Sequence, residues 1–152
     1  MSLFHGMNIS GSALTANRLR LDTIASNIAN YDSTRAAYVD GAWQPYRRKM
    51  VELAPKTDQT FDNFLQAAVG MASGQNGEQG VRVTAIREDE TPFKRVFDPT
   101  HPDADQEGYV LKPNVDVMKE MVDMISASRA YEANVTVLNA TKSMMLKALE
   151  IR

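Results

Sequence analysis

The chain has no cysteine among its 152 residues. Disulfides, thiolate zinc sites, iron–sulfur clusters and a thiol nucleophile are therefore excluded. The compartment stays open, because a cysteine-free chain is viable in oxidising and reducing surroundings alike. An excess of one charge is also missing: 17 Lys and Arg stand against 19 Asp and Glu, for a net charge of −2. That balance argues against a large sequence-independent affinity for nucleic acid or anionic lipid. No apolar run approaches the ~18–20 residues that span a bilayer, so no direct membrane span is expected. The opening MSLFHGMNISGSALTANRLRLD lacks the basic-then-apolar order of a signal peptide. His5 and His101 are the only histidines, and neither lies in a metal-ligand pattern. The nucleophile-elbow, P-loop and dinucleotide-binding glycine patterns are missing too. Nothing points to an enzyme, a metal or a cofactor.

What is present is an apolar content of 43%, gathered into two terminal stripes. Met7, Leu14, Leu21 and Ile28 recur every seven residues, with Ile24 three after Leu21. This heptad-like spacing keeps an apolar seam facing a partner helix. Ser10 or Ser12 is a candidate cap, and Gly11 favours a helix start near there rather than at Met7. Asn30 and the following Tyr31-Asp32-Ser33 end it. Asn17, Asn27 and Asn30 are unusual inside a helix. They either line an exposed face and a C-terminal cap or bond across a helix–helix contact.

The second stripe is longer. Met124, Tyr131, Leu138 and Met145 recur every seven, accompanied by Met121, Ser128, Val135 and Leu149, and neither Gly nor Pro follows Pro113. Asn114 or Asp116 can cap the start, and Lys142, Lys147 and Arg152 suit the C-terminal dipole. A helix over about 115–151 spans roughly 55 Å, against roughly 30 Å for the first at about 20 residues. A hairpin of the two leaves part of the longer helix without an internal partner. Its methionines (Met118, Met121, Met124, Met144, Met145) suit a surface that meets other chains. The expected fold is mainly α with a small β-rich middle, the terminal helices pairing as a coiled-coil-like domain.

The middle, 31–112, holds five of the six prolines and all glycines except Gly6 and Gly11. Strand candidates are Arg48–Leu53, Val81–Ile86, Arg95–Phe97 and Tyr109–Leu111. Phe61–Val69 could form a short helix, and 70–80 reads as a flexible loop. Asp103-Ala104-Asp105-Gln106-Glu107-Gly108 starts like a calcium loop, but position twelve is Asn114 rather than Glu, and Pro102 and Pro113 deny it flanking helices. A structural turn is the simpler reading. The basic run Tyr46-Arg47-Arg48-Lys49 suits a solvated strand edge or an interface better than a nucleic-acid patch.

Several stretches resemble a known family. Leu21–Asn30, LDTIASNIAN, is similar to the N-terminal signature of the bacterial flagellar rod, hook and hook-associated proteins. Pro45-Tyr46-Arg47-Arg48-Lys49, FKRVFDPTHPDADQEGYV at 93–110, and Asn114–Glu150 resemble further segments of its rod members, in the right order. Thr57–Gln79 has no clear counterpart and looks like an insertion, and 31–43 departs from the usual Thr-rich form. The resemblance implies a division into 1–30 and 113–152 as an inner helical domain and 31–112 as an outer part. It implies a structural subunit of the proximal rod, assembled helically with heterologous contacts into a hollow drive shaft between rotor and hook. Implied partners are copies of itself, homologous rod proteins, and a rotor-ring or export-gate adaptor at the proximal end. Implied localisation is the periplasmic part of the basal body, reached by the flagellar type III apparatus. Residues expected to carry subunit packing are Leu14, Leu21, Ile24, Asn27, Ile28 and Asn30 on the first helix. On the second they are Met121, Met124, Ile125, Tyr131, Val135, Leu138, Met145 and Leu149. Two other readings fit the residues: a helical-hairpin adaptor that binds a partner helix, and a calcium-modulated binding module.

Overall fold

The computed structural model of the chain describes residues 4–39, 41–56 and 80–150. The element order is α1 (His5–Ala29), β1 (Ala37–Val39), β2 (Ala42–Gln44), β3 (Lys49–Pro55), β4 (Val81–Glu88), β5 (Lys94–Phe97), β6 (Tyr109–Lys112) and α2 (Val117–Glu150). Terminal helices flank three antiparallel two-stranded ribbons, β1–β2, β3–β4 and β5–β6. The expected helix at 61–69, the insertion at 57–79 and all but Gly80 of the expected loop at 70–80 lie outside the described residues.

Helix α1 begins at His5, about six residues before the expected start, with Phe4 as an N-cap that makes no side-chain bond. The expected serine caps are used elsewhere. Ser10 is buried at 5% exposure, and Ser12 Oγ donates to the Ile9 carbonyl and accepts the Val81 N–H. Asn30 closes the helix as expected, its Nδ2 donating to the Ser26 carbonyl and its Oδ1 accepting the Ser33 hydroxyl. For α2 the cap is Asp116, whose Oδ1 accepts the N–H groups of Met118 at 3.1 Å and Lys119 at 3.4 Å.

The two helices pack antiparallel: Asn27 near the end of α1 meets Glu120 in the first turn of α2, and Arg20 reaches Asp123. At 34 and 25 residues, they are about 51 Å and 38 Å long, so the C-terminal end of α2 runs past the start of α1. The β3–β4 ribbon lies along α1. Its near end sits at Asn27, which bonds Lys49. Its far end sits at Ser12, which bonds Val81. Fifteen helical residues rise about 22 Å, matching the roughly 23 Å of a seven-residue strand. The ribbon register shifts between Glu52 and Leu53, the position of a β-bulge.

The four strand candidates are observed with one end of each extended by one or two residues, except that β3 starts at Lys49 and leaves Arg48 outside the strand. The β1–β2 hairpin was not anticipated. Its signal is the Asp40-Gly41 dipeptide between two short alternating runs, and Gly41 takes φ 82°, a region that favours glycine. The far anchor of the ribbon also depends on a glycine. A Cβ on Gly80 would lie 2.4 Å from Ser12 Oγ and 3.6 Å from Ile9 Cα. Gly80→Ala is expected to lower stability by about 1–3 kcal/mol by displacing Ser12 from Val81. Denaturant melts of Gly80→Ala beside Gly80→Ala/Ser12→Ala check this: the second change should recover part of the loss by removing the clash.

Among the described residues the private core is thin: the buried apolar residues are Ala16, Ile24, Tyr46, Val110, Val115 and Ala127, and the largest fully buried side chain is a carboxylate, Glu120.

Candidate assembly interface

Two features stand out where helices and ribbons meet: a buried polar knot, and a row of large apolar side chains turned away from it. The knot centres on Asn27, exposed by only 1%. Its Oδ1 accepts the Tyr46 hydroxyl at 3.0 Å and the Lys49 N–H at 2.9 Å. Its Nδ2 donates to the Lys49 carbonyl at 2.9 Å and to Glu120 Oε2 at 3.0 Å. All four hydrogen-bonding positions of the amide are thereby used. The other Glu120 oxygen, Oε1, accepts Arg48 Nε at 2.6 Å. The Arg48 guanidinium also approaches Asp89 at 3.5 Å and Asp123 at 3.6 Å. Asn114 accepts the Arg48 N–H at 2.8 Å and donates to the carbonyls of Asp89 and Thr91. Among the described residues no buried side-chain nitrogen or oxygen lacks a partner.

Of the two readings of the helical asparagines, Asn27 follows the one that bonds across helices, and Asn30 the capping one. The basic run also differs from a solvated edge. Arg48 turns inward to Glu120 and Tyr46 is buried, while Arg47 stacks over the Phe93 ring at 4.8 Å. Two of the three cations of the run are thus engaged by groups of the fold itself.

Burial works against the Arg48 charge, but the bonds and charges of Glu120 and Asp89 outweigh it and raise its pKa. Asp89 is held below the ordinary carboxylate range by the Thr91 N–H and side chain, with Arg48 adding to the effect. The calcium-like loop is a turn. Asp103 accepts bonds from Arg35 Nε at 2.6 Å and from Thr34 Oγ1 at 2.8 Å, and these partners lower its pKa. Gly108 takes φ 78°, and a Cβ there would lie 3.0 Å from the Phe97 ring. Among the described residues no three His, Asp or Glu side chains are grouped to hold a metal ion.

Folded pKa values depressed in this way stabilise the native state fully above the unfolded value, near 4, and the benefit is lost as pH falls through the folded values. The thermal midpoint is therefore expected to drop between pH 5 and pH 3. Asp103→Asn should flatten that slope, as read by circular dichroism; an unchanged slope would count against the Arg35 and Thr34 bonds.

The expected packing residues fall into three groups. Ile24 and Asn27 are buried inside the subunit, at 5% and 1% exposure. Leu14, Leu21, Ile28 and Asn30 on α1, with Met124, Tyr131, Val135, Leu138 and Met145 on α2, are half-buried. The five on α2 lie toward the helix–helix contact, because Glu120, Met124, Ala127 and Tyr131 share one face at i, i+4, i+7 and i+11, whereas Asn30 is the C-cap of α1, bonded to Ser26 and Ser33. Met121, Ile125 and Leu149 are exposed, at 51%, 54% and 79%. The heptad stripe thus faces α1 over most of its length. A second row lies beside it: Met118, Met121, Val122 and Ile125, at i, i+3, i+4 and i+7, line the far side of α2. All four are more than half exposed. Met144, Leu146 and Leu149 extend the exposed apolar surface where α2 overruns α1.

The chain matches the family model described as flagella basal body rod protein over residues 7–36. Residues 106–151 match that described as flagellar basal body rod FlgEFG protein C-terminal. It is 55% identical to the flagellar basal-body rod protein FlgC of Bacillus subtilis, over 99% of each chain. Identity to FlgC of Borreliella burgdorferi is 45%, over 99% of this chain and 98% of that one. For FlgC of Escherichia coli it is 47%, again over 99% and 98%. The two family segments cover α1 and α2, the helices that carry the knot and the exposed row, and on these likenesses the chain belongs to the FlgC family of flagellar basal-body rod proteins.

Proposed function

We propose that α1 and α2 form the inner, coiled-coil-like domain of a proximal-rod subunit, with 31–112 as its outer part and neighbouring subunits covering the outer row of α2. The observation that carries this is the row Met118, Met121, Val122 and Ile125, exposed by 51–73% in a family whose members are rod proteins. Four clustered large apolar side chains on one helix face are costly to leave in water and mark an interaction surface. Among the half-buried helix residues, Leu14, Leu21, Ile28, Tyr131 and Leu138 hold the pair together and present only their rims to neighbours.

The role is mechanical. Copies of this chain and homologous rod proteins repeat with heterologous contacts, the geometry of open helical assemblies. The product is a hollow shaft that carries torque from rotor to hook, joined at its proximal end to a rotor-ring or export-gate adaptor. No catalytic group enters this account. The subunit reaches the periplasmic rod through the flagellar type III apparatus. A deletion strain should lack rods, and basal bodies purified from complemented cells should contain the chain. Recovery only as a discrete soluble dimer would favour the adaptor reading instead.

A further inference from the structure

We propose that Asn27, Arg48, Asn114 and Glu120 are positioning residues that lock the angular register between the helix pair and the β3–β4 ribbon, so that load on one is delivered to the other. The inference rests on the rod reading and adds to it the place where inner and outer parts are coupled.

Three connecting segments converge on this point, two joining ribbon to ribbon and one joining a ribbon to α2. They are the run from β2 into β3, the run from β4 into β5 at 89–93, and the run from β6 into α2 at 113–116. Side chains of α1 and of the third segment tie down the first two. Asn27 of α1 brackets Lys49, bonding both its N–H and its carbonyl. Asn114 takes the N–H of the adjacent Arg48 while its amide ties down the Asp89 and Thr91 carbonyls. Arg48 completes the crossing to Glu120 on α2. The far anchor among the described residues is the Ser12–Val81 bond. Packing along α1 and the distant bond set the direction of the ribbon, whereas rotation about that line is set at the knot, where the bonds point several ways.

Stability is a weak reason for such an arrangement. A buried ion pair is commonly no more stabilising than apolar residues of the same volume. Glu120, at 1% exposure, occupies a place in the helix contact that Leu or Met would fill. What the polar groups add is direction: hydrogen bonds fix angles that apolar packing leaves free to slide.

The chain has no cysteine, so spin labels can be placed on cysteines at Arg82 of β4 and Arg129 of α2 alone. Distance distributions between them are then measured by pulsed electron spin resonance on the full chain. The parent should give one narrow distribution. Arg48→Met/Glu120→Leu should melt within a few degrees of the parent yet broaden the distribution roughly twofold, because the directional bonds are gone. Arg48→Lys retains the charge but not the planar fork that serves three carboxylates, and should also broaden it. It also serves as the test if the double variant fails to fold. Unchanged widths in the variants that fold would overturn the lock. Presence of the chain in basal bodies is a separate readout, so failure of the rod reading is distinguishable from failure of this one.

Discussion

Cells carrying Met121→Glu and Ile125→Glu are expected to be non-motile, with the chain absent from their basal bodies, while the isolated variant melts like the parent. Both side chains are more than half exposed in the subunit. A surface change of this kind shifts stability by no more than about 0.5 kcal/mol. Against a neighbouring subunit the same carboxylates would be buried without partners, at a cost of several kcal/mol each. The contrast between intact fold and lost assembly makes this pair more discriminating than a charge at Leu138. That residue is half-buried on the side facing α1, so a charge there strikes the subunit's own packing as well. Normal swimming in the doubly charged strain would mean that nothing covers this face.

Arg48→Ala is expected to destabilise the isolated chain by about 3–5 kcal/mol, because it strands the buried Glu120 carboxylate. For a chain of this size that corresponds to a fall on the order of 10 °C in melting temperature. The effect comes from what remains rather than from what is removed. Asn27 supplies one bond to Glu120, and it cannot neutralise the charge. Removing both charges with Arg48→Met/Glu120→Leu should restore most of the loss. Calorimetry of the single and double variants decides it: equal destabilisation of both would show that the site acts through packing alone.

The helices were legible because periodicity is local. Heptads at Met7–Ile28 and Met124–Met145 announced both, and Pro113 marked the second start. Three things were less legible, each for a physical reason. The early start of α1 was hidden because Ser12, which looks like a cap, is used by Val81 on a strand 69 residues away. Asn27 was conspicuous as a helical asparagine, but its partners Tyr46, Lys49 and Glu120 come from distant segments. Glu120 itself reads as an ordinary acidic residue in a first helical turn; its burial depends on Arg48, 72 residues earlier. The outer row of α2 was masked by the stronger heptad stripe beside it. Met121 and Ile125 are among the expected packing residues, but their spacing alone does not show that they face away from Met124 and Tyr131. The family resemblance pointed to assembly, whereas which face is free emerges only once α1 has claimed the other.

The central claim is that the outer face of α2 is an intersubunit contact in the rod. A photoreactive benzoylphenylalanine at Ile125, in a strain that still swims, tests it most directly on intact basal bodies. Irradiation should yield an adduct between this chain and a second copy or another rod protein. Basal bodies that contain the labelled chain but give no intermolecular adduct on irradiation would contradict the account.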